Sequence, residues 1–230
     1  MSGDREAVLA RIREALREPA PRHHAKVHPA PAGATVTAPF REWLPKVGAS
    51  PKERVALFAQ LSEMLRTDFR SCASSAEAGD CVAQLAQEHG WKRLATHAGD
   101  LNAKILKQLP PGLEVLQLAP GYDRNTLEAS DAGLTECECL VAQTGSICVS
   151  ALSSGGRTLS VLPPHHIVVA RRRQLVPDLT AAYELLAEKY APNYPSFMTF
   201  ITGPSRTGDI ERILVLGAHG PKKLTVLLVP

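Results

Sequence analysis

Apolar positions in this chain recur first at helical spacing and then, beyond about residue 90, in short strand-like runs. Residues 4–17 read as a helix with Asp4 as N-cap. Val8, Ile12 and Ala15 line one face, and Leu9 and Leu16 widen it. From Pro19 to Pro39 the periodicity dissolves into Pro, Ala and His, with five prolines, which predicts an extended linker. Residues 1–39 therefore read as a helical arm with its linker, and 40–230 as the folded body. Ser50-Pro-Lys-Glu53 is a capping box with proline at the first helical position, where a missing N–H costs nothing. The helix it opens places Val55, Phe58, Ala59, Ser62 and Leu65 on one side. A second helix over 76–89 turns Val82, Leu85 and Ala86 inward and stops at Gly90.

The texture then alternates. Arg93–His97 reads as a strand, Asp100 caps a helix to about Lys107, and Leu113–Leu118 is a further strand. Leu140–Gln143 and Ser146–Ser150 read as strands around a Thr-Gly turn. His166–Ala170 is β-branched and almost wholly apolar, as in a strand buried on both faces. Pro177 opens a helix carrying Leu179, Ala182, Tyr183, Leu186 and Tyr190. Met198–Thr202 as strand, Thr207–Leu216 as helix and Leu224–Val229 as strand complete the order. This alternation predicts an α/β fold, a mostly parallel sheet with helices on both faces.

Composition narrows the class of protein. A net charge of +3 and 5% aromatic residues argue against nucleic-acid binding, and the Arg171–Arg173 run reads as a solvated strand end. No run reaches the roughly 18 apolar residues of a membrane span, and the N-terminus lacks a signal-peptide core. Five cysteines without a C-x-x-C pair fit reduced thiols, so the expected compartment is the cytoplasm.

Candidate chemistry gathers in turns. The run from Phe200 to Glu211 reads as strand, tight turn and new helix, the place where α/β proteins bind ligands. Gly203 and Gly208 have P-loop spacing, but Asp209 and Ile210 stand where Lys and Ser/Thr belong, which disfavours nucleotide phosphate. Ser205 as helix cap, Arg206 and the N–H groups of that helix start would attract an anion. Asp209 and Glu211 would otherwise only complement the helix dipole. His219 lies in a turn before Gly220-Pro221 and suits proton transfer, although turn histidines are more often structural. Thr144-Gly145-Ser146 is a hairpin turn whose N–H and O–H groups could face an oxyanion, and Pro163-Pro-His165-His166 puts two imidazoles at a sheet end. Cys137, Cys139 and Cys148 match neither zinc nor ferredoxin spacing, so no metal site is expected.

Together the Thr144-Gly-Ser146 turn, Leu162–Ile167, the stretch from Gly203 to Glu211 and the stretch from Gly217 to Pro221 resemble the motifs of the lactate utilization protein C family (LutC/YkgG, the LUD domain). The match is strong over about residues 130–230. The resemblance implies a fold like the NagB/RpiA/CoA transferase superfamily. It also implies a role in oxidising L-lactate to pyruvate beside two partner proteins that carry iron–sulfur clusters. The chain lacks the cysteine runs of longer LUD proteins, so no cofactor is expected in it.

Two readings of the site, and one of assembly, follow. In the first the chain is an accessory or ligand-binding subunit. Thr144, Gly145, Ser146, His165, Gly203, Pro204, Ser205, Arg206, Asp209 and Gly220 then form one pocket for a small anionic ligand, with Glu211 and His219 as proton-transfer candidates. In the second it is a stand-alone CoA-transferase-like or sugar-phosphate-isomerase-like enzyme using Glu211 as nucleophile or base. The third makes the 4–17 helix a docking arm. Homo-oligomerisation stays open.

Overall fold

A computed structural model describes residues 2–15, 17, 44–119, 122–210, 213–217 and 219–230. The chain divides into two compact units, Met1–Trp43 and Leu44–Pro230. In the first, helix α1 spans Ser2–Ala15. It starts ahead of Asp4, which therefore lies inside the helix and does not cap it. Val8 and Ile12 are both about half exposed. Leu16 and the expected linker lie outside the described residues.

The second unit opens with α2 (Pro51–Met64), where the capping box forms as its residues dictate. Ser50 Oγ accepts the Glu53 N–H at 3.2 Å, and Glu53 Oε2 accepts the Ser50 N–H at 2.9 Å. Its far end is unusual. Thr67 N–H reaches Ser62 O and Arg66 N–H reaches Glu63 O, a Schellman closure whose left-handed position is normally glycine. Arg66 occupies it at φ 62°, a conformation that costs a non-glycine residue about 1 kcal/mol.

The strands of the main sheet follow: β1 (Asp68–Ser71), β2 (Arg93–Thr96), β3 (Glu114–Gln117), β4 (Ala132–Thr135), β7 (His165–Arg171) and β12 (Lys223–Val229). They pair in the order β1-β12-β7-β4-β2-β3, every pair parallel. Helix α3 (Ser75–His89) ends on Gly90 in the left-handed conformation, as its sequence predicts. Helix α4 (Asp100–Leu106) has Gly99 at its cap instead of Asp100. The carboxylate of Glu136 takes the Leu101 N–H at 2.8 Å, supplying from another strand the cap the local sequence lacks. A short α5 (Arg124–Glu128) precedes β4.

A second sheet is antiparallel apart from one pair. It contains β5 (Cys139–Val141), β6 (Ser146–Ser150), β8 (Leu175–Val176) and β9 (Met198–Ile201) in the order β8-β5-β6-β9. Alternation along β7 and β12 shows how the layers stack. Ile167, Val169, Leu227 and Val229 pack with Val82 of α3 and with Leu101 and Ile105 of α4. Val168, Ala170, Val226 and Leu228 pack with Phe58 of α2 and with Leu140, Ile147 and Val149 of the small sheet. One face of the main sheet is thus covered by helices, the other by α2 together with strands. Helix α6 (Leu179–Tyr190), capped by Asp178, closes the outer side of the small sheet through Ala182 and Leu186 against Cys139, Val141 and Cys148. Burial on both faces explains why β7 has no polar alternation.

One expected element is overturned. Thr207–Leu216 is not a helix but lies in a hairpin of β10 (Arg206–Ile210) and β11 (Ile213–Leu216), paired Arg206 to Leu216 and Thr207 to Val215. Thr207, Ile210, Ile213 and Val215 are β-branched, and that preference outweighs the apparent cap at Ser205. No helix among the described residues is long and apolar enough to cross a membrane.

Candidate functional site

Strand order reverses between β2 and β4. The chain moves from β2 outward to β3, returns to β4 on the other side of β2, and continues to β7 and β12. In a parallel sheet such a switch point leaves a crevice beyond the carboxyl ends of the strands. A cleft of about 770 Å³ occupies that position. His97 follows β2, Glu136 follows β4, and Arg171 ends β7; Arg173 and Lys189 add cations to its wall, Glu138 and Glu188 carboxylates, and Ser153, Gln174 and Tyr190 further polar groups.

Each polar group there has a definite state. His97 Nδ1 lies 2.8 Å from Ala98 O and must donate, so Nε2 is an acceptor, with the Glu136 N–H 3.4 Å away. Burial lowers the His97 pKa against the pull of the Ala98 carbonyl and Glu136, which keeps the ring neutral. Glu138 is buried yet ionised. Ser150 Oγ donates to it at 2.6 Å, Lys189 Nζ at 2.7 Å and Tyr190 OH at 2.8 Å. Burial pushes its pKa up, but those three bonds outweigh it and hold the carboxyl below its ordinary range. Lys189 is thereby committed to Glu138. Arg171 and Arg173 are different: among the described residues neither has a carboxylate within ion-pair distance.

The residues predicted from the sequence are not brought into one pocket. Gly203, Pro204, Ser205, His219 and Gly220 do meet, around a cavity of about 310 Å³ with apolar walls that include Phe197, Phe200 and Leu224. His165 lies instead on another cavity, of about 270 Å³. Thr144, Gly145, Ser146 and Arg206 line neither cavity. The Thr144 hydroxyl is buried without a partner, Gly145 sits against Leu61 and Leu65, and Ser146 Oγ bonds Thr202 Oγ1 at 2.8 Å. Asp209 belongs to β10, where its side chain is outside the description, and Glu211 lies outside the described residues altogether.

The backbone donors expected around Ser205 are not supplied by a helix start. The Ser205 N–H is taken by Pro221 O at 2.9 Å and its carbonyl by Gly217 N–H at 3.0 Å, and no helix follows to supply further donors. The turn also follows β9 of the small sheet, so the rule for parallel strand ends does not reach it. Both predicted imidazoles are neutral. Burial lowers the His165 pKa to about 4, helped by His89 and Lys223, and burial with His165 nearby lowers that of His166 to about 3. They sit at the amino end of β7, opposite the crevice.

The cleft residues were missed for identifiable reasons. The strand before Glu136 carries no alternation to betray it. Arg171 and Arg173 read as a solvated end; Arg173 is exposed and Arg171 half-buried, and both line the cleft. His97, already placed at a predicted strand's carboxyl end, was the available signal. Burial pushes the Cys137 thiol up, and a hydrogen bond with Cys139, then burial, does the same for Cys148, which disfavours the thiolate at both. Among the described residues no group of three or more His, Cys, Asp or Glu could hold a metal ion.

A switched parallel sheet with a polar cleft at its carboxyl edge defines an α/β protein with a candidate site at the switch point. The LUD domain model matches residues 14–229, and the chain belongs to that family. It is 30% identical over 189 residues to Lactate utilization protein C of an Exiguobacterium species, covering 79% of this chain and 80% of that one. A protein of the same description from Deinococcus radiodurans is 35% identical over 53% of this chain and 57% of its own. The crystal structure of a DUF162 family protein from Deinococcus radiodurans superposes with a TM-score of 0.63 at 26% identity. That match covers 80% of this chain and all of that one.

Proposed function

We propose that this chain is the ligand-binding subunit of a cytoplasmic lactate utilization system. It holds a small 2-hydroxy or 2-oxo carboxylate in the switch-point cleft. Partner subunits that carry iron–sulfur clusters accept the electron pair released as lactate becomes pyruvate, and both protons pass to bases and solvent. The observation that carries this reading is the pair of guanidinium groups, Arg171 and Arg173, bordering the cleft with no carboxylate at ion-pair distance among the described residues. Arginine is suited to bidentate capture of a carboxylate. Neutral His97 shares the cleft; its Nε2 accepts the Glu136 N–H over 3.4 Å, and a substrate hydroxyl takes the place of that long bond to give up its proton. The relatives called Lactate utilization protein C point to the same substrate. The reading places no cofactor in this chain.

Calorimetric titration with pyruvate and with L-lactate tests the site. Replacing Arg171 and Arg173 together by Ala should weaken binding at least about ten-fold, or about 1.4 kcal/mol. Unchanged affinity would remove the cleft as the carboxylate site. Affinity capture from native cytosol should bring down material with iron–sulfur absorbance, and colourless material would dispose of the partner assignment.

A further inference from the structure

The outer strands of the two larger sheets are guarded, with one exception. β1 carries Asp68 and Arg70, β3 carries Glu114, and β8 is only two residues long. Charge and shortness of this kind keep a strand edge from pairing with another chain. β9, Met198-Thr-Phe-Ile201, has no charge and no proline, and it pairs with β6 in unbroken register. Exposed apolar side chains flank it. Tyr183 of α6 is 61% exposed and tilts over Phe200 with ring centroids 5.6 Å apart. Val161, 39% exposed, shares the wall of the 310 Å³ cavity with Thr199 and Ile201.

The backbone of β9 has one side unpaired. Ala151 N–H donates to Phe197 O at 2.9 Å, and the register runs on from there through Val149 against Thr199 to Ile147 against Ile201. Antiparallel partners alternate between bonded and non-bonded pairs, so Thr199 and Ile201 direct their N–H and C=O groups to β6. Cys148 of β6 agrees, because its carbonyl takes the Glu138 N–H at 2.8 Å on the far side. Met198 and Phe200 therefore point their N–H and C=O groups away from β6. Among the described residues β9 has no other strand neighbour, and no backbone hydrogen bond from elsewhere reaches Met198 or Phe200.

We propose that β9 is the seam at which two copies of this chain join, β9 against β9 in antiparallel register about a two-fold axis at Thr199. The free edge is complementary to itself in that register. Met198 stands opposite the partner's Phe200, and each N–H and C=O that β6 leaves unpaired meets a group of the opposite kind. A one-residue slip would set them against groups already bonded to β6. Met198 and Phe200 form cross-strand apolar pairs on the α6 side, beside Tyr183, and Thr199 faces the partner's Thr199 on the cavity side. With no charge in β9, no like charges are brought opposite one another. The two small sheets then run on as one. No residue of β9 lines the switch-point cleft, so the seam stands apart from the carboxylate reading.

Sedimentation velocity of the full chain tests the seam, and should show a monomer–dimer equilibrium with a Kd of about 10 µM or tighter. Thr199→Lys sets two ammonium groups across the axis and should weaken the dimer at least about ten-fold. Mixing that variant with Thr199→Asp should restore a dimer, because the two side chains face each other only in this register. Thr199→Cys gives a second readout where a charged variant fails to fold. Cα atoms of a non-bonded antiparallel pair lie about 4.5 Å apart, within disulfide reach. Mild oxidation should therefore give a covalent dimer that the unmutated chain does not form. A chain that stays monomeric at about 100 µM, well above the expected Kd, would overturn the proposal. So would a dimer that Thr199→Lys leaves intact, or a Thr199→Cys chain that cross-links no more than the unmutated one.

Discussion

The two edges of the main sheet carry similar residue types and put them to different use. At the carboxyl edge, polar groups border an open cleft and the buried carboxylate, Glu138, is fully satisfied. At the amino edge, His165 and His166 are packed away, each with one ring nitrogen bonded to a threonine and the other bonded to nothing. Parallel strands account for the difference. Their carboxyl ends feed loops that part at the switch between β2 and β4, whereas the amino ends of β7 and β12 stay paired side by side, Lys223 against His165. All three histidines are buried, His165 and His166 within the paired amino ends and His97, just past its strand, on the wall of the crevice.

Acid should separate the edges most strongly. Folded His165 and His166 titrate far below the value of 6.5 they regain on unfolding, so the unfolded chain binds more protons between those limits. Stability should be full above about pH 6.5. It should fall by about 1.4 kcal/mol per pH unit for each histidine as pH drops towards 4. Urea titrations across that range check the slope, and His166→Asn should flatten it; an equal slope in that variant would mean that His166 is not buried neutral.

The next largest effect belongs to the carboxyl edge. Lys189→Met leaves Glu138 buried without its cation and should cost about 3 kcal/mol at pH 7. The loss should shrink as acid protonates Glu138, whose pKa rises once the lysine is gone. A loss under about 1 kcal/mol would show that water, reaching the half-exposed lysine, already screens the pair.

The smallest pair of effects concerns binding. Arg171→Ala alone should weaken pyruvate binding by a few-fold, about 1 kcal/mol, with little change in melting temperature. Ser205→Ala, at the other edge, should leave pyruvate affinity unchanged in the same titration. Were Ser205 to matter more than Arg171, the assignment of the two edges would be reversed.

Local signals carried much of the architecture. The capping box at Ser50, the stop at Gly90, the β-branched run ending at Ala170 and the spacing from Leu179 to Tyr190 are written in neighbouring residues, and each element formed where those residues place it. The family motifs were likewise legible as strings. Prediction failed where two local signals competed. At Ser205 a cap-like residue followed by Asp209 and Glu211 imitates a helix start, but the β-branched residues beyond it pair across a hairpin.

The sequence by itself determined an α/β protein of the LUD family, with its element types, its apolar strands and its glycine-rich turns, because these depend on periodicity and backbone preference over a few residues. Only the tertiary structure decided which chemistry shares a space. His97, Glu138, Arg171 and Lys189 lie up to 92 positions apart and meet because β2, β4 and β7 are neighbours in one sheet and α6 packs on β5, the strand that follows Glu138. His165 and His166, adjacent in sequence, point to opposite faces of one strand and line different cavities. Strand pairing order is a long-range choice, set by how buried faces fit together, and no local pattern contains it.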